Sequence, residues 1–334
     1  MACPCRRVYG GGKPHSHFEV SRVTTSFRRL GGIGAVSLSV LLASCSGGDG
    51  TAPGSGTFPA STTQHRIGSA QSIVERSGAP DSATKHAPFR VYASYYGAYD
   101  GGVLTFTGAG KSKSPAITQS NTVQLIAVDA SGKIYIADFG GEQITTYLPD
   151  GTQTTPTINL GFNPVGVAVD ANGKIYVTDV FHNQLTTYNA DGSQTTPTIT
   201  GLDYPQGVAV DSTGKIYIAT THANQVVTYT AAGVQTTPTI NVNGPGGVAV
   251  DANGKIYVTD SNDNTVFTYG ADGSQTTPTI TAGLNTPFGI AVAANGKIYV
   301  ANAAGNNVTT YAKNGKPTKV TIACCQNPRG VAVN

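Results

Sequence analysis

Three polar side chains in the middle of the chain have the chemistry of a metal site or of an acid–base pair. They are His182, Asp203 and His222. Two imidazoles and a carboxylate can ligate zinc or another divalent ion, or they can act as a base and an acid. The same residue types are also common as ordinary exposed polar groups in loops. Both interpretations stay open at this level, because sequence spacing fixes no distance between the three.

A second group of side chains is suited to holding a ligand by shape and charge. Gln206, Phe288 and Arg329 each lie between a Pro and a Gly, and Tyr95, Tyr96 and Tyr99 form an aromatic segment. Arginine binds carboxylate and phosphate groups, and tyrosine provides contact area at low entropic cost. The alternatives are an ion pair between Arg329 and Asp100, and tyrosines that only cover a seam of the fold.

The composition excludes several classes of protein. The 334 residues include 42 Gly and 18 Pro but no Trp, and only 12% are charged. This is a turn-rich, strand-prone composition, which argues against a helical bundle. The net charge is +3, but from Cys45 onward 15 Lys and Arg face 17 Asp and Glu. A near-neutral chain lacks the basic stripe that a nucleic-acid partner requires.

The elements that must position these side chains belong to a repeat. The motif G-K-I-Y recurs with its Lys at 133, 174, 215, 255 and 297, at spacings of 41, 41, 40 and 42 residues. Each copy holds four short β-branched runs, as at 166–169, 174–177, 184–188 and 196–199, separated by turns. Four-stranded units of this length are propeller blades.

The number of blades follows from the two ends of the repeat. The first copy, 91–117, has only the last three strands of a blade, and the chain ends at 329–334 with a lone first strand. Pairing the two leaves no unpaired edge. The sequence thus predicts an all-β, six-bladed propeller of four-stranded antiparallel blades over residues 90–334. The C-terminal strand completes the first blade, and the propeller is expected to be monomeric.

The repeat motifs resemble a known family. P-x-G-V-A-V-D, G-K-I-Y-V-T-D and N-x-V-x-x-Y are similar to NHL repeats, and the likeness implies a six-bladed propeller. The basic residue that the family commonly has before the third strand is here Gln143, Gln184, Gln225, Thr265 or Asn307. Propeller enzymes that the fold resembles, such as sugar lactonases, place metal ligands in or near the channel. The inner strands here read G-V-A-V and offer no such ligand.

One face of the predicted propeller varies and the other repeats. The turns after the first and third strands hardly change between copies, whereas the loops after the second and fourth strands differ freely. The variable loops share one face, which is the expected binding surface around the channel mouth. Gln124, Val165, Gln206, Gly246, Phe288 and Arg329 are expected to ring that mouth.

The repeated charges and the cysteine pair are expected to have structural roles. Asp129, Asp170, Asp211 and Asp251 each precede a turn Lys by four residues, so cross-turn ion pairs are expected. Cys324 and Cys325 lie on the last loop between blades. They form either a strained vicinal disulfide or two free thiols.

The N-terminal region reads as an export signal. Arg28 and Arg29 precede an apolar run that ends in Leu-Ala-Ser-Cys at 42–45, and this end resembles the bacterial lipobox. The resemblance implies that Cys45 is lipidated and that Ser46 directs the protein to the outer membrane. Residues 1–44 are then a signal region, with 1–19 absent if translation starts near Val20. Residues 45–89 form a Ser-, Gly- and Pro-rich tether.

Together these features predict a lipid-anchored protein of the bacterial cell envelope. Its propeller is expected to be a non-catalytic binding or scaffold module for a protein, peptide or glycan, with no cofactor. The alternative is a metal-dependent lyase or hydrolase in which His182, Asp203 and His222 hold one divalent metal. A third interpretation is a recently duplicated scaffold with no specialised site.

Overall fold

The computed structural model describes residues 89–96, 101–119 and 122–334. The signal region, Cys45, Tyr99, Asp100 and the residues predicted as a tether before Phe89 lie outside the described residues. In the described part no helix has the length and apolar character needed to cross a membrane.

The described chain consists of strands joined by turns and short loops. The strands are β1 (Arg90–Tyr96), β2 (Gly101–Thr107), β3 (Ser112–Gln119), β4 (Val123–Val128), β5 (Ile134–Asp138), β6 (Gln143–Tyr147), β7 (Gln153–Asn159), β8 (Pro164–Val169), β9 (Ile175–Asp179), β10 (Gln184–Tyr188), β11 (Gln194–Thr200), β12 (Pro205–Val210), β13 (Ile216–Thr220), β14 (Gln225–Tyr229), β15 (Gln235–Asn241), β16 (Pro245–Val250), β17 (Ile256–Asp260), β18 (Thr265–Tyr269), β19 (Gln275–Ile280), β20 (Pro287–Val292), β21 (Ile298–Asn302), β22 (Asn307–Tyr311), β23 (Pro317–Ala323) and β24 (Pro328–Val333).

These strands form the blades of a closed ring. Six four-stranded antiparallel sheets are present, and five of them use four consecutive strands. The first blade has the order β24-β1-β2-β3, in which Val333 pairs with Val91 and Val331 with Ala93. The predicted six-bladed propeller and its closure by the C-terminal strand are confirmed.

The hydrophobic core lies between neighbouring blades. Tyr135 and Ile144 of the second blade pack with Val167 and Ile175 of the third, and five similar clusters complete the described ring. Alternating β-branched and aromatic residues explain this, because each sheet must bury both of its faces. Blades therefore stabilise one another around the ring.

Glycines and prolines fix the outer contacts between blades. In the second to sixth blades, the Gly of the turn between the third and fourth strands lies against the outer-strand Pro of the preceding blade. At Gly151 the backbone φ is 89°, and an added Cβ would lie 2.4 Å from the Cβ of Pro115. Both the backbone conformation and the lack of space require glycine here.

Buried hydroxyl groups connect the inner ends of alternate blade pairs. Thr178 Oγ1 accepts a hydrogen bond from the Gly166 amide and donates one to the Gln206 carbonyl, each 2.7 Å long. Thr259 joins Gly247 to Phe288 in the same way, and Ser94 joins Gly330 to Gln124. The remaining blades have alanine at this position, namely Ala137, Ala219 and Ala301. These hydroxyl bridges link the backbones of neighbouring inner strands at the channel mouth.

Replacing Thr178 with Val should destabilise the propeller by about 2 to 3 kcal/mol, because two buried backbone groups lose their partner. For a chain of this size that corresponds to a melting temperature lower by about 5 to 10 °C. Thr178→Ser keeps the hydroxyl and should therefore reduce the stability of the propeller less. Circular dichroism melting compares the melting temperatures of the two variants. A Val variant that melts at or above the Ser variant would contradict the bridging role.

The turn aspartates and lysines do not form the expected ion pairs. Asp129 Oδ1 accepts hydrogen bonds from the amides of Ser131 and Lys133, and its Oδ2 accepts one from the Tyr135 hydroxyl. Lys133 Nζ lies over the Tyr135 ring, 5.9 Å from its centroid. The same arrangement recurs at Asp170, Asp211 and Asp251. The expected cross-turn pairing is wrong, since the carboxylate caps its own turn and the tyrosine takes its free oxygen.

Candidate binding site at the channel mouth

The ring has two different faces. The face with the turns after first and third strands is called the turn face below, and the face with the loops after second and fourth strands is called the loop face. The channel between them holds a cavity of about 40 Å³, lined only by glycine and aliphatic residues such as Leu125, Val167 and Ile290. The channel interior therefore offers no acid, base or metal ligand. The chemistry is concentrated at the mouth on the loop face.

Arg329 occupies the most distinctive position at this mouth. Its guanidinium carbon lies 4.8 Å from the Phe288 ring centroid and 5.5 Å from that of Tyr96. Phe288 is itself buried, and its ring fills the space left by Gly246, where an added Cβ would be 3.2 Å away. Gly246 of the fifth blade, Phe288 of the sixth, and Arg329 and Tyr96 of the first thus follow one another around the rim. We call Tyr96, Gln206, Phe288 and Arg329 the mouth site.

The charge of Arg329 is not neutralised by the described residues. No carboxylate of these residues lies within 4.0 Å of it, and its buried Nε has no hydrogen-bond partner. Burial lowers the pKa of Arg329 from its usual value, and the nearby phenol groups of Tyr96 and Tyr204 act in the opposite direction. Arginine remains protonated at any physiological pH. The mouth therefore contains a fixed cation with free donor capacity.

A second buried polar atom at the rim also lacks a partner. This atom is Oε1 of Gln206, whose backbone carbonyl accepts the Thr178 hydrogen bond described above. Tyr204, two residues earlier, has a positive φ of 56°. Its ring stacks on His222 at 4.1 Å between centroids, with a 14° angle between the planes. Tyr204 gives no signal in the sequence, because a left-handed backbone conformation at a non-glycine residue cannot be read there.

The structure separates the three residues proposed for a metal. His182 Nδ1 pairs with Asp179 Oδ2 at 2.6 Å, whereas His222 Nδ1 is 3.8 Å from Asp203 Oδ1. Both histidines are exposed side chains, at 63% and 62%. Among the residues with assigned structure, no group of three or more His, Cys, Asp or Glu is placed to hold a metal ion. His182 pairs with Asp179 and His222 lies near Asp203, so His182, Asp203 and His222 do not form one cluster.

The aromatic segment of the first blade is divided. Tyr96 contacts Arg329, and its amide donates a hydrogen bond to the Asn327 carbonyl. Tyr95 pairs with Gly102 across β1 and β2, and lies 3.0 Å from the site of an added Cβ there. Tyr99 and the alternative Arg329 partner Asp100 are outside the described residues. Among the described residues of this segment, Tyr96 is thus placed against Arg329.

Cys324 and Cys325 are free thiols on the loop that precedes β24. The Cys325 thiol donates a hydrogen bond to the Cys324 sulfur, with 2.8 Å between the Sγ atoms. This hydrogen bond lowers the pKa of Cys324 and raises that of Cys325. Both side chains are thiols in this structure, and the vicinal disulfide stays a prediction.

Cys324 should react with iodoacetamide before Cys325. The thiolate is the reactive form, so at about pH 8 the thiol with the lowered pKa is alkylated faster. Peptide mass spectrometry after substoichiometric labelling gives the two rates, with a Cys325→Ser variant as the control for the hydrogen bond. Preferential labelling of Cys325 in the unmodified chain would contradict this assignment.

Two segments of the chain, residues 163–185 and 242–269, match the model of the NHL repeat. The first segment contains β8 and β9, and the second contains β16, β17 and β18. The chain carries NHL repeats. This confirms the repeat type that the sequence motifs resembled, on the six-bladed fold described above. No curated protein matches the chain.

Several solved structures are similar to this propeller in fold. A chain in the crystal structure of a nidogen/laminin complex is 18% identical, has a TM-score of 0.62, and covers 73% of this chain and 98% of its own. Virginiamycin B lyase from Staphylococcus aureus is 16% identical with a TM-score of 0.53, covering 72% and 87%. A protein of unknown function from Bacteroides caccae is 12% identical with a TM-score of 0.58, covering 74% and 99%. At such identities the likeness concerns the fold alone.

Proposed function

We propose that this NHL propeller is a non-catalytic binding module of the bacterial cell envelope, and that its mouth site receives one anionic group of a protein, peptide or glycan. Arg329 supplies the charge, and Phe288 and Tyr96 hold the guanidinium plane. A planar fork fixed in this way suits a carboxylate, which can accept two parallel hydrogen bonds. Gln206 adds a neutral polar group at the same rim.

The observation that carries the proposal is the buried Arg329 Nε without a partner. An unpaired buried donor costs about 1 to 3 kcal/mol and more when charged. A ligand that supplies the missing acceptor recovers this energy on binding. The aromatic neighbours also reduce the conformational entropy that the arginine would otherwise lose.

The electrostatic surroundings restrict the ligand further. Among the described residues Arg329 is the only cation of the loop face, and it shares that face with six acids: Asp138, Glu142, Asp179, Asp203, Asp260 and Asp263. A polyanion would be repelled at long range by this excess of negative charge. The ligand that fits is therefore near neutral, with a single carboxylate such as a peptide C-terminus or an isolated uronic acid.

Binding is favoured over the lyase or hydrolase alternative for a geometric reason. A metal-dependent reaction would need His182, Asp203 and His222 around one ion, and His182 would first have to leave its pair with Asp179. The location in the envelope is supported by the resemblance of residues 42–45 to a lipobox, which makes Cys45 the lipid attachment site and favours the outer membrane.

Matched acidic and neutral probes test the proposal. The protein is applied to an array of peptides with free or amidated C-termini, and of oligosaccharides with glucuronate or glucose ends. Retention on acidic members and loss on their neutral matches supports the mouth site. Equal retention on both members of each pair, or no retention at all, would count against it.

A further inference from the structure

The charges of the described residues are segregated between the two faces of the ring. The turn face has eleven cations: Arg90, Lys111, Lys113, Lys133, Lys174, Lys215, Lys255, Lys297, Lys313, Lys316 and Lys319. It has seven acids: Asp129, Asp150, Asp170, Asp191, Asp211, Asp251 and Asp272. The loop face has the single Arg329 against six acids. A nearly neutral chain is therefore folded into a molecule with a cationic face and an anionic face.

The turn-face cations that have no described turn-face acid on their own blade are concentrated where the ring closes. All seven acids of the turn face belong to the second to fifth blades, and the described parts of the sixth and first blades have none. In the sixth blade Ala293 takes the place of the turn aspartate, and Asn314 that of the next one. Six lysines lie in this sector, and we call them the seam patch: Lys111, Lys113, Lys297, Lys313, Lys316 and Lys319.

Contacts between the two blades make the seam patch continuous. Lys297 Nζ donates a hydrogen bond of 3.1 Å to the Gly108 carbonyl of the first blade. Lys313 covers Gly296, where an added Cβ would be 2.9 Å from the lysine Cβ. Gly110 precedes Lys111, and a Cβ added there would be 3.0 Å from Cγ1 of Val320, which follows Lys319. Every lysine of the patch except Lys297 is exposed.

An exposed aromatic residue and the chain entry lie in the same place. Phe89 is 38% exposed, and its ring centroid is 6.2 Å from that of Tyr299 on the sixth blade. Phe89 is the first residue that the structure describes before the first blade, and Cys45 precedes it in the sequence. Lysines around an exposed aromatic ring match the charged and amphipathic layers of a membrane surface. A soluble polyanion would bind through the lysines alone and would gain nothing from the exposed aromatic ring.

We infer that the seam patch is a docking surface for anionic phospholipid headgroups. It holds the turn face against the membrane and directs the mouth site away from it. This inference adds a second surface to the proposed binding module, and it rests on the proposed membrane location only for its biological setting. The lysines attract the headgroups, and Phe89 lies at the interface. A lipid on Cys45 would tether the protein to the membrane and so raise the effective concentration of headgroups near the patch.

Vesicle sedimentation tests the docking surface. Every sheet and core cluster described above lies within residues 89–334, so a chain of residues 46–334 keeps the complete propeller and carries no lipid. Its cooperative melting is checked first. We expect partitioning onto phosphatidylglycerol-containing vesicles at about 0.1 M salt, with loss at about 1 M salt and on phosphatidylcholine alone.

Two variants with the same change of charge localise the effect. Replacing Lys111, Lys113, Lys316 and Lys319 with Gln should reduce partitioning by about 100-fold or more. Replacing Lys133, Lys174, Lys215 and Lys255 should reduce it by less than about 10-fold, since each lies beside a turn aspartate. Equal losses in the two variants would overturn the seam patch. So would binding to soluble heparin in the absence of any binding to vesicles.

The assay separates this inference from the proposed function. It contains neither a lipidated Cys45 nor a ligand for the mouth site, and Arg329→Ala should partition like the unmodified chain. Failure on vesicles with retained binding to carboxylate probes would remove only the docking surface. The opposite pair of results would remove only the mouth site.

Discussion

A chain that ends at Asn327 should fail to form a stable propeller. β24 is the inner strand of the first blade, and its residues pair with β1 at Val91, Tyr92 and Ala93. Val331 and Ala332 are also buried in the cores on either side of that blade. Losing this burial and the ladder of hydrogen bonds costs about 5 kcal/mol or more, which is comparable to the total stability of many domains. Circular dichroism melting should show a broad transition or none.

Rescue by a peptide makes this prediction specific. A synthetic peptide of residues 328–334, added in excess, should restore a cooperative transition by occupying the open edge. The same peptide with Asp in place of Val331 should not, because it would bury a charge in the seam core. A truncated chain that melts as sharply as the full chain, and within about 5 °C of it, would contradict closure by β24.

Replacing Arg329 with Ala should abolish most binding to carboxylate probes at the mouth site. Charge-assisted hydrogen bonds contribute about 1.5 to 3 kcal/mol, so the dissociation constant should rise by about 10- to 150-fold. The ligand then also faces the six acids of the loop face without a compensating cation. Isothermal titration calorimetry with a retained peptide, in its free-acid and amidated forms, measures the change.

Conservative variants show whether geometry matters as well as charge. Arg329→Lys keeps the charge but loses the planar fork between Tyr96 and Phe288, so it should recover only part of the affinity. Tyr96→Ala should weaken binding by a smaller factor, because Phe288 still supports the guanidinium. Lys319→Ala on the opposite face is the control and should bind normally. Unchanged affinity in both Arg329→Ala and Tyr96→Ala would remove these residues from the site.

The fold could be predicted because it depends on local patterns that recur. Period-two alternation, turn glycines and a spacing near 41 residues each act over a few residues, and their repetition makes the strand order unambiguous. Closure was predictable from the missing inner strand of the first copy and the extra strand at Arg329–Asn334. The hydroxyl bridges were missed, although alternation of Ser or Thr with Ala at that position was visible in the sequence.

The site could be predicted only in part, because it depends on contacts across blades. The position of Arg329 between Pro and Gly placed it on the rim beside Phe288, and the structure brings both together with Tyr96. The pairing of His182 with Asp179 could not be foreseen, since it depends on how one loop folds back on its own strand end. The charge segregation could not be predicted from the near-neutral composition, because the net charge of a chain does not show on which face each charge lies.

The charge segregation has a consequence for how the molecule would work at a surface. An anionic loop face is repelled by an anionic membrane, while the seam patch on the turn face is attracted to it. Both effects favour the orientation in which the turn face lies against the membrane and the loop face points away from it. The mouth site is then presented to ligands away from the membrane, where a near-neutral ligand with one carboxylate can reach Arg329.

The most direct test of the account is to observe the Arg329 side chain during titration with a carboxylate. The chain has nine arginines, and the Nε–H resonance of Arg329 is assigned by its loss in Arg329→Lys. Titration with glucuronate should shift this nitrogen–proton resonance saturably, and glucose should leave it unchanged. No shift with glucuronate, or the same shift with both sugars, would contradict a mouth site built around an unpaired Arg329.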